Sequence, residues 1–593
     1  MINGVLIFSG HPRARENMRM VSGHLPGPEL TLSRMLILQG LGVFWTRDSA
    51  GCSLAEVSEP GGSCRMSGAL EGVITNRPEL EAELGFFGDR MFPLELTDIQ
   101  WILLAIREHG PGILARVQGE YALVAVDREK GEAVLAADPS GIGRMYWHLD
   151  QGLLSFSTSA RHLISLPWVP GRVDLGAVSR GLVLVQAGPV TYHRDLVRSV
   201  AGHARVFCLS GRGEAREGEA AAPPGDSWPG EAGEKEAPEI LLSRAILRRL
   251  PLSGRVALPA DGAWDTALLA VLARRLSPLP LTCFSMSFGS QEPDSRARSW
   301  ARSLGMEHEV IHMETGDLAA RFTDYVKSLD EPAPSPAGLA AFAAFSRMKS
   351  LVDPSLLFCS SWERSLGMNW DVPFSPGWPL SQFPALSRWK SLGARFIPAA
   401  LFPDQAGDSP GRIGNLGRMV GRLGQALESG PGAYWAAALD PTGTERRVSR
   451  RDACLGQGLS AARAAGIAIR FPFEDPGLMG GILGRASSEE DKERAFRDLA
   501  RRLLARGIGD GPVGPGACAI LPVEEILAHM ERQGLLEPLR TGSGPLVARE
   551  CMGRDKAASA VDRGLAQGGK DGARLFWMAV LDRWMDLEAD GES

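Results

Sequence analysis

The stretch Arg255–Arg274, R-V-A-L-P-A-D-G-A-W-D-T-A-L-L-A-V-L-A-R, leaves this chain few ways to fold. A short apolar strand (Arg255-Val256-Ala257-Leu258) breaks at small residues and passes into an apolar helix from Thr266 to Arg274. The alternation continues with Leu281–Phe288, a helix over Ser295–Leu304 and a strand at Glu309–His312. Strand and helix in turn imply a parallel sheet with crossover helices. The break itself carries chemistry. Small residues at a helix N-terminus let backbone N–H groups approach an anion, and the Thr266 hydroxyl adds a donor. Asp261 works against this, because a carboxylate repels an anion unless a divalent cation lies between them. Its plainer role is to cap the helix. From about Asp317 the remainder reads as mostly helical.

The first half reads differently. Gly119–Asp127 (G-E-Y-A-L-V-A-V-D) and Glu132–Ala137 form a hairpin across D-R-E-K-G, and Met145–His148 pairs with Leu153–Thr158 around Asp150-Gln151-Gly152. Helices are expected at Arg77–Leu84 and Asp98–His109, the second capped by Asp98. Strands and helices in separate blocks suggest a layered α+β domain. Residues Gly211–Pro238 are rich in Gly, Pro and Glu and read as a solvated linker or surface loop.

A chain of 593 residues exceeds one core, so two or more domains are expected. A net charge of -6 gives no electrostatic case for nucleic acid or acidic membranes. The 8 cysteines are scattered without a C-x-x-C pair, which argues against a disulfide scaffold or zinc knuckle and suits a reducing compartment. No segment has the roughly 18 uninterrupted apolar residues of a membrane span, and the expected location is cytoplasmic.

Read in order, several segments resemble the asparagine synthetase family. Gly119–Asp127 is similar to G-x-F-A-x-x-x-x-D, and Ala137–Trp147 (A-D-P-S-G-I-G-R-M-Y-W) to A-R-D-x-x-G-x-x-P-L-Y-Y. Phe284–Phe288 with Ala297–Val310 resembles F-S-I-G-F…A-x-x-x-A-x-x-L-G-x-x-H-x-x-V. Leu329-Asp330-Glu331-Pro332 matches L-D-E-P, Arg470–Asp475 (R-F-P-F-E-D) is close to R-x-P-F-L-D, and Arg574–Trp584 resembles the closing helix. The resemblance implies an N-terminal-nucleophile hydrolase-like α+β sandwich over 1–210, a linker or loop over 211–238, and an adenine nucleotide α-hydrolase-like α/β synthetase domain over 239–593 with a helical C-terminal part. The branches of this family include β-lactam synthetase-like and lasso peptide cyclase-like proteins.

Set against the resemblance, the glutaminase chemistry is missing. The family's nucleophile is an N-terminal cysteine whose own amino group is the base. Here Met1-Ile2-Asn3-Gly4 stands in its place. The glutamine-holding arginine falls on Pro26, the oxyanion-hole asparagine on Glu71 and the glutamate that holds the substrate amine on Val73. A carboxylate in an oxyanion hole repels the charge that develops there. In the synthetase half, L-S-G-G-x-D-S becomes Leu258-Pro259-Ala260-Asp261-Gly262-Ala263-Trp264-Asp265-Thr266. The Mg²⁺-binding acid of the second ATP loop becomes Arg364 beside Glu363, and the transition-state lysine falls on Gly514, with Lys492 or Lys556 elsewhere in the chain.

The resemblance implies ATP contacts at Leu258, Asp261, Gly262, Asp265, Thr266, Met286, Phe288, Asp330 and Glu331, with Asp265 also the Mg²⁺ candidate. Arg470, Asp475 and Glu363 are the catalytic candidates, the plainer role for Arg470 and Asp475 being a structural salt bridge with helix capping. His308 is expected to be exposed just before a strand. The function implied is an ATP- and Mg²⁺-dependent, AMP-forming amide ligase or cyclase without glutaminase activity, acting on a small-molecule or peptide carboxylate. The alternative is a non-catalytic relative that serves as a binding or regulatory partner. A homo-oligomer or a partner biosynthetic enzyme is the expected associate, with no nucleic acid and no membrane.

Overall fold

A computed structural model of the chain describes residues 1–7, 32–38, 42–47, 52–58, 64–84, 96–182, 191–208, 218–220, 237–260, 264–289, 295–359, 444–478, 501–503 and 521–591, with positions 13, 16, 17, 20, 21 and 498 besides. Two antiparallel sheets build the N-terminal half. The first contains β1 (Ile2–Ile7), β2 (Leu32–Leu38), β3 (Gly42–Arg47), β8 (Tyr146–Asp150), β9 (Leu153–Ser157) and β10 (Val197–Arg198), in the order β10-β8-β9-β1-β3-β2. The second contains β4 (Cys52–Ser58), β5 (Cys64–Ile74), β6 (Gly119–Asp127), β7 (Glu132–Ala137), β11 (Ala204–Cys208) and β12 (Gly218–Ala220), in the order β12-β11-β7-β6-β5-β4.

The alternation of β6 explains why the sheets stack. Tyr121, Leu123 and Ala125 face one way, into a core with Ile99, Ile102 and Leu103. Those three come from α2 (Asp98–His109), which follows α1 (Arg77–Leu84). Ala122, Val124 and Val126 face the other way and meet Ile2, Leu6, Leu154 and Phe156 of the first sheet. A strand that must satisfy both faces reads as the continuous apolar run seen in the sequence. On the far face of the first sheet, Val5, Ile7 and Leu153 pack under Leu166 and Trp168. The result is a helix–sheet–sheet sandwich with a covered outer face.

Three local expectations change. Thr97, not Asp98, is the N-cap of α2, and the Gln100 side chain returns to the Thr97 N–H at 3.0 Å in a capping box. Asp98 instead accepts from the Ile74 N–H at 3.3 Å. Within the Gly/Pro/Glu-rich stretch, Gly218–Ala220 pairs with Ala204–Val206, so backbone pairing overrides poor strand propensity there.

The C-terminal half carries a five-stranded sheet from β13 (Val256–Pro259), β14 (Leu281–Phe288), β15 (Glu307–Met313), β16 (Leu356–Phe358) and β17 (Ala468–Arg470). Its order is β15-β14-β13-β16-β17 and each pairing is parallel. One face packs against α3 (Pro238–Leu247), α4 (Trp264–Leu276) and α5 (Ser295–Ser303), through residues such as Ile246, Leu268 and Trp300. The opposite face packs against α6 (Phe322–Ser328), α7 (Ala337–Leu351), α8 (Thr444–Ala465), α9 (Arg554–Gln567) and α10 (Gly569–Gly591). This larger core runs on into the N-terminal half through Ile142, Val173, Val178 and Tyr192. No helix among the described residues is long and apolar enough to cross a membrane.

Asp138, in the A-D-P-S-G-I-G segment, fixes the turn between the two sheets. It is fully buried and accepts from the Tyr121 N–H (3.2 Å), the Ser140 N–H (2.9 Å) and hydroxyl, and the Gly143 N–H (2.5 Å). A Cβ at Gly143 would strike the Tyr121 carbonyl, which is why glycine stands there. Asp138→Ala leaves these donors buried without an acceptor. We expect a loss of about 3–5 kcal/mol in guanidinium unfolding of the N-terminal sandwich.

Candidate functional site

In the parallel sheet the connections reverse direction between β13 and β16. From β13 the chain proceeds through α4 to β14 and through α5 to β15 on one face, then returns by α7 on the other face to β16. The carboxyl ends of β13 and β16 therefore border a crevice, the place where open α/β sheets hold ligands. Asp265 and Thr266 stand in the first turn of α4 at that edge, 6% and 0% exposed. A helix N-terminus there offers N–H groups and partial positive charge to an anion. Asp261, Gly262 and Glu363 lie outside the described residues, as do Pro26, Arg364, Lys492 and Gly514.

The structure uses other candidates for packing. Leu258 is buried in the core beneath α4, whereas Met286 and Phe288 point into the core on the α7 face. What these positions can offer a ligand is backbone. His308 is not an exposed residue before a strand. It lies within β15, half-buried, with its Nε2 2.8 Å from the Ser285 hydroxyl, which also donates to the Ala260 carbonyl at 2.5 Å. Burial and the nearby Arg298 push its pKa down, so a neutral imidazole braces the chain at the end of β13.

Asp475 and Arg470 lie at and just past the end of β17, but not as a pair. Asp475 receives Arg249 Nη1 at 2.7 Å and caps the following turn by accepting from the Gly477 and Leu478 N–H groups at 3.0 and 3.2 Å. Arg249 in turn binds Glu120 of β6 at 2.5 Å, and Arg470 Nε lies 3.9 Å from the same carboxylate. Glu120 Oε1 also accepts from the Phe471 N–H at 3.1 Å. Burial and Glu120 together raise the pKa of the neighbouring Cys359 thiol well above its ordinary value, so it is protonated and inert at the end of β16.

Asp330 and Glu331 face the N-terminal half. Asp330 accepts from the Ser159 hydroxyl and pairs with Arg463 at 2.5 Å. Glu331 pairs with Arg198 at 2.8 Å and accepts from the Tyr146 hydroxyl at 3.4 Å. Arg463 Nη2 further donates to the Thr158 carbonyl at 3.0 Å. The L-D-E-P segment thus joins the two halves of the molecule rather than lining the crevice with free carboxylates.

At the other end of this network β1 lies mid-sheet between β3 and β9. The Met1 amino group is 2.8 Å from Cys52 Sγ and 3.6 Å from Glu71 Oε2. Glu71 accepts from the Thr158 hydroxyl at 2.5 Å and the Ile2 N–H at 3.3 Å. Burial alone would raise this carboxyl, but the Met1 ammonium, Arg463, Thr158 and Ile2 hold it down at about 2. An ionised carboxylate at this spot stabilises cations and N–H donors, not a developing oxyanion. Sequence reasoning missed Glu120, Arg249, Arg463 and Arg198. A carboxylate opening the apolar run of β6 was the one readable signal. The arginines that answer it come from distant positions with no local pattern.

The glutamine amidotransferase domain family matches residues 61–165, and the asparagine synthase family matches residues 242–355. A curated fungal protein, amidase chyE of Penicillium rubens, is 21% identical over 292 residues, covering 45% of this chain and 41% of its own length. The chain therefore spans under half of that relative. Among solved structures, the glutamine phosphoribosylpyrophosphate amidotransferase of B. subtilis is 12% identical over 52% of this chain and 59% of its own, with a TM-score of 0.21. An NH3-dependent NAD synthetase from Campylobacter jejuni is 17% identical over 35% of this chain and 92% of its own, with a TM-score of 0.17. Both scores are too low to carry weight by themselves.

Because the folded pKa of Glu71 lies below its ordinary 4.5, its stabilising contribution is complete above pH 4.5 and fades as pH falls toward 2. With part of the side chain still in contact with solvent, the contribution is on the order of 2 kcal/mol. Melting curves of wild type and Glu71→Gln should differ by a constant gap from pH 7 to pH 5, and the gap should narrow below pH 4.5.

Proposed function

We propose that this divergent asparagine synthetase-like protein is an ATP-dependent, AMP-forming amide ligase or cyclase that takes its amine without hydrolysing glutamine. One observation carries the reading: the parallel sheet reverses its strand order where α4 begins with Asp265 and Thr266. Ligation needs a place for a triphosphate, and a helix N-terminus at a switch point supplies one. The asparagine synthase match over residues 242–355 supports the same class of chemistry.

In this reading a substrate carboxylate oxygen attacks the α-phosphorus of ATP and pyrophosphate leaves. The nitrogen lone pair of an amine then forms the amide bond, AMP departs, and the amine proton passes to solvent or to a base. The chain's part is to bind and orient. The first turn of α4 directs N–H groups at phosphate oxygens, and the Thr266 hydroxyl contributes a further donor. Mg²⁺ commonly binds through one or two carboxylates plus phosphates and water. The single carboxylate of Asp265 fits that requirement, and no group of three potential ligands occurs among the described residues. Bound there, Mg²⁺ would supply charge neutralisation. Glutamine hydrolysis is left out because an ionised Glu71 and a leading Met1 stand where oxyanion donor and thiol are needed.

A second reading has its own support. Asp330, Glu331 and Asp475 are all engaged in ion pairs, the arrangement expected of a relative kept for binding rather than catalysis. Calorimetric titration separates the two. The ligase reading expects Mg·ATP binding that Asp265→Ala weakens about tenfold or more, equivalent to loss of one charge-assisted contact. It also expects pyrophosphate release with a suitable carboxylic acid. No binding at millimolar nucleotide would favour the non-catalytic relative.

A further inference from the structure

Where the two halves meet there is a cavity of about 30 Å³ apart from the nucleotide crevice. Its walls include Arg144 and Arg198 from the N-terminal half and Asp330, Glu331, Gln457 and Arg463 from the other. Three guanidinium groups face two carboxylates, an excess of one positive charge. Arg198 is committed to Glu331 and Arg463 to Asp330. Arg144 lies against Gly456, one residue before Gln457, where an added Cβ would come within 2.8 Å of its Nη1.

Gln457 supplies an independent observation. It is 0% exposed on α8, its Oε1 accepts from the Tyr325 hydroxyl at 3.3 Å, and its Nε2 has no hydrogen-bond partner. A buried N–H₂ without an acceptor costs about 1–3 kcal/mol, so a group that accepts from it is strongly favoured. Surplus positive charge selects an anionic acceptor. Size narrows the class further. A single water needs about 10–15 Å³ measured this way, so the space admits a few heavy atoms and no phosphate chain.

We propose that this cavity binds a small carboxylate, with the Gln457 carboxamide and the Arg144 guanidinium donating to its oxygens. The carboxylate is either a free acid of formate or acetate size or the head of a longer acid whose tail leaves through the cavity mouth. The site does not depend on the ligase reading, since it uses no residue of the crevice and needs no nucleotide.

The test uses the full chain and the line width of the formate proton resonance, with acetate and aspartate as competitors. Wild type should broaden the resonance saturably. Acetate displacing formate marks a free small acid, whereas displacement by aspartate but not acetate marks the head of a longer one. Gln457→Leu should weaken binding about tenfold, the loss of a hydrogen bond to a charged group. Gln457→Glu should abolish binding, because it puts a tethered carboxylate in the same space, and should leave the melting temperature equal or higher. Arg144→Gln provides a second route should a change at Gln457 prevent folding, with the same tenfold loss expected. Absence of saturable broadening, or broadening unchanged in these variants, overturns the proposal, as does a lowered melting temperature in a folded Gln457→Glu protein. Those results would mean that the cavity holds only water.

Discussion

Arg249 is the charge on which the assembly of this protein depends. Its side chain is fully buried and divided between Glu120 of the antiparallel sandwich and Asp475 beyond the last strand of the parallel sheet. Burying three charges is costly, and only close geometry with further hydrogen bonds offsets that cost. The Phe471 N–H and the nearby Arg470 provide part of the offset at Glu120, and two backbone N–H groups do so at Asp475. Remove one member and the others remain charged in a low-dielectric interior. The triad therefore specifies how the halves meet more firmly than the apolar packing around it, which tolerates substitutions of similar volume.

A second buried network repeats this logic along the same interface. Met1, Glu71, Arg463 and Asp330 form an alternating series of positive and negative groups, ending on the Ser159 hydroxyl. Each member is stabilised by its neighbours, and the pKa of Arg463 is accordingly raised by Asp330 and Glu71 against the effect of burial. The same residues cannot readily serve as catalysts as well. A carboxylate held near pKa 2 between an ammonium and a guanidinium is too weak a base for proton transfer at neutral pH. What the amidotransferase-like half has lost as chemistry, it has acquired as an anchor for the other half.

The fold was legible where local pattern and tertiary role agree. The double-faced apolar run of β6 and the strand–turn–helix at β13 declare buried strands of two kinds. The family resemblance in A-D-P-S-G-I-G finds its reason in Asp138, which collects the N–H groups of a turn that only glycine at 143 can make so tight. Asp330, Glu331 and Asp475 were legible as important positions, but not as interface residues. Their partners, Arg463, Arg198 and Arg249, lie 133 residues away in two cases and 226 in the third. Such pairings leave no periodic trace. The error at Thr97 was of another sort: Thr and Asp are both good caps, and the choice rests on Gln100 reaching back.

The interface also bears on where an amine for ligation comes from. A small neutral amine passing between the halves would have to cross a region walled by arginines and carboxylates. Buried charges order water and anions around themselves, and a carboxylate there would protonate and retain a basic amine. Apolar walls would let the amine through without holding it. With Arg463 joined to Asp330 and Arg198 to Glu331, the contact between the halves is built to stay shut and to hold fixed charge. An amine that reaches the crevice from solvent, or is carried by the substrate itself, avoids that obstacle. The ligase reading thus has a consistent supply route that asks nothing of the amidotransferase-like half beyond support.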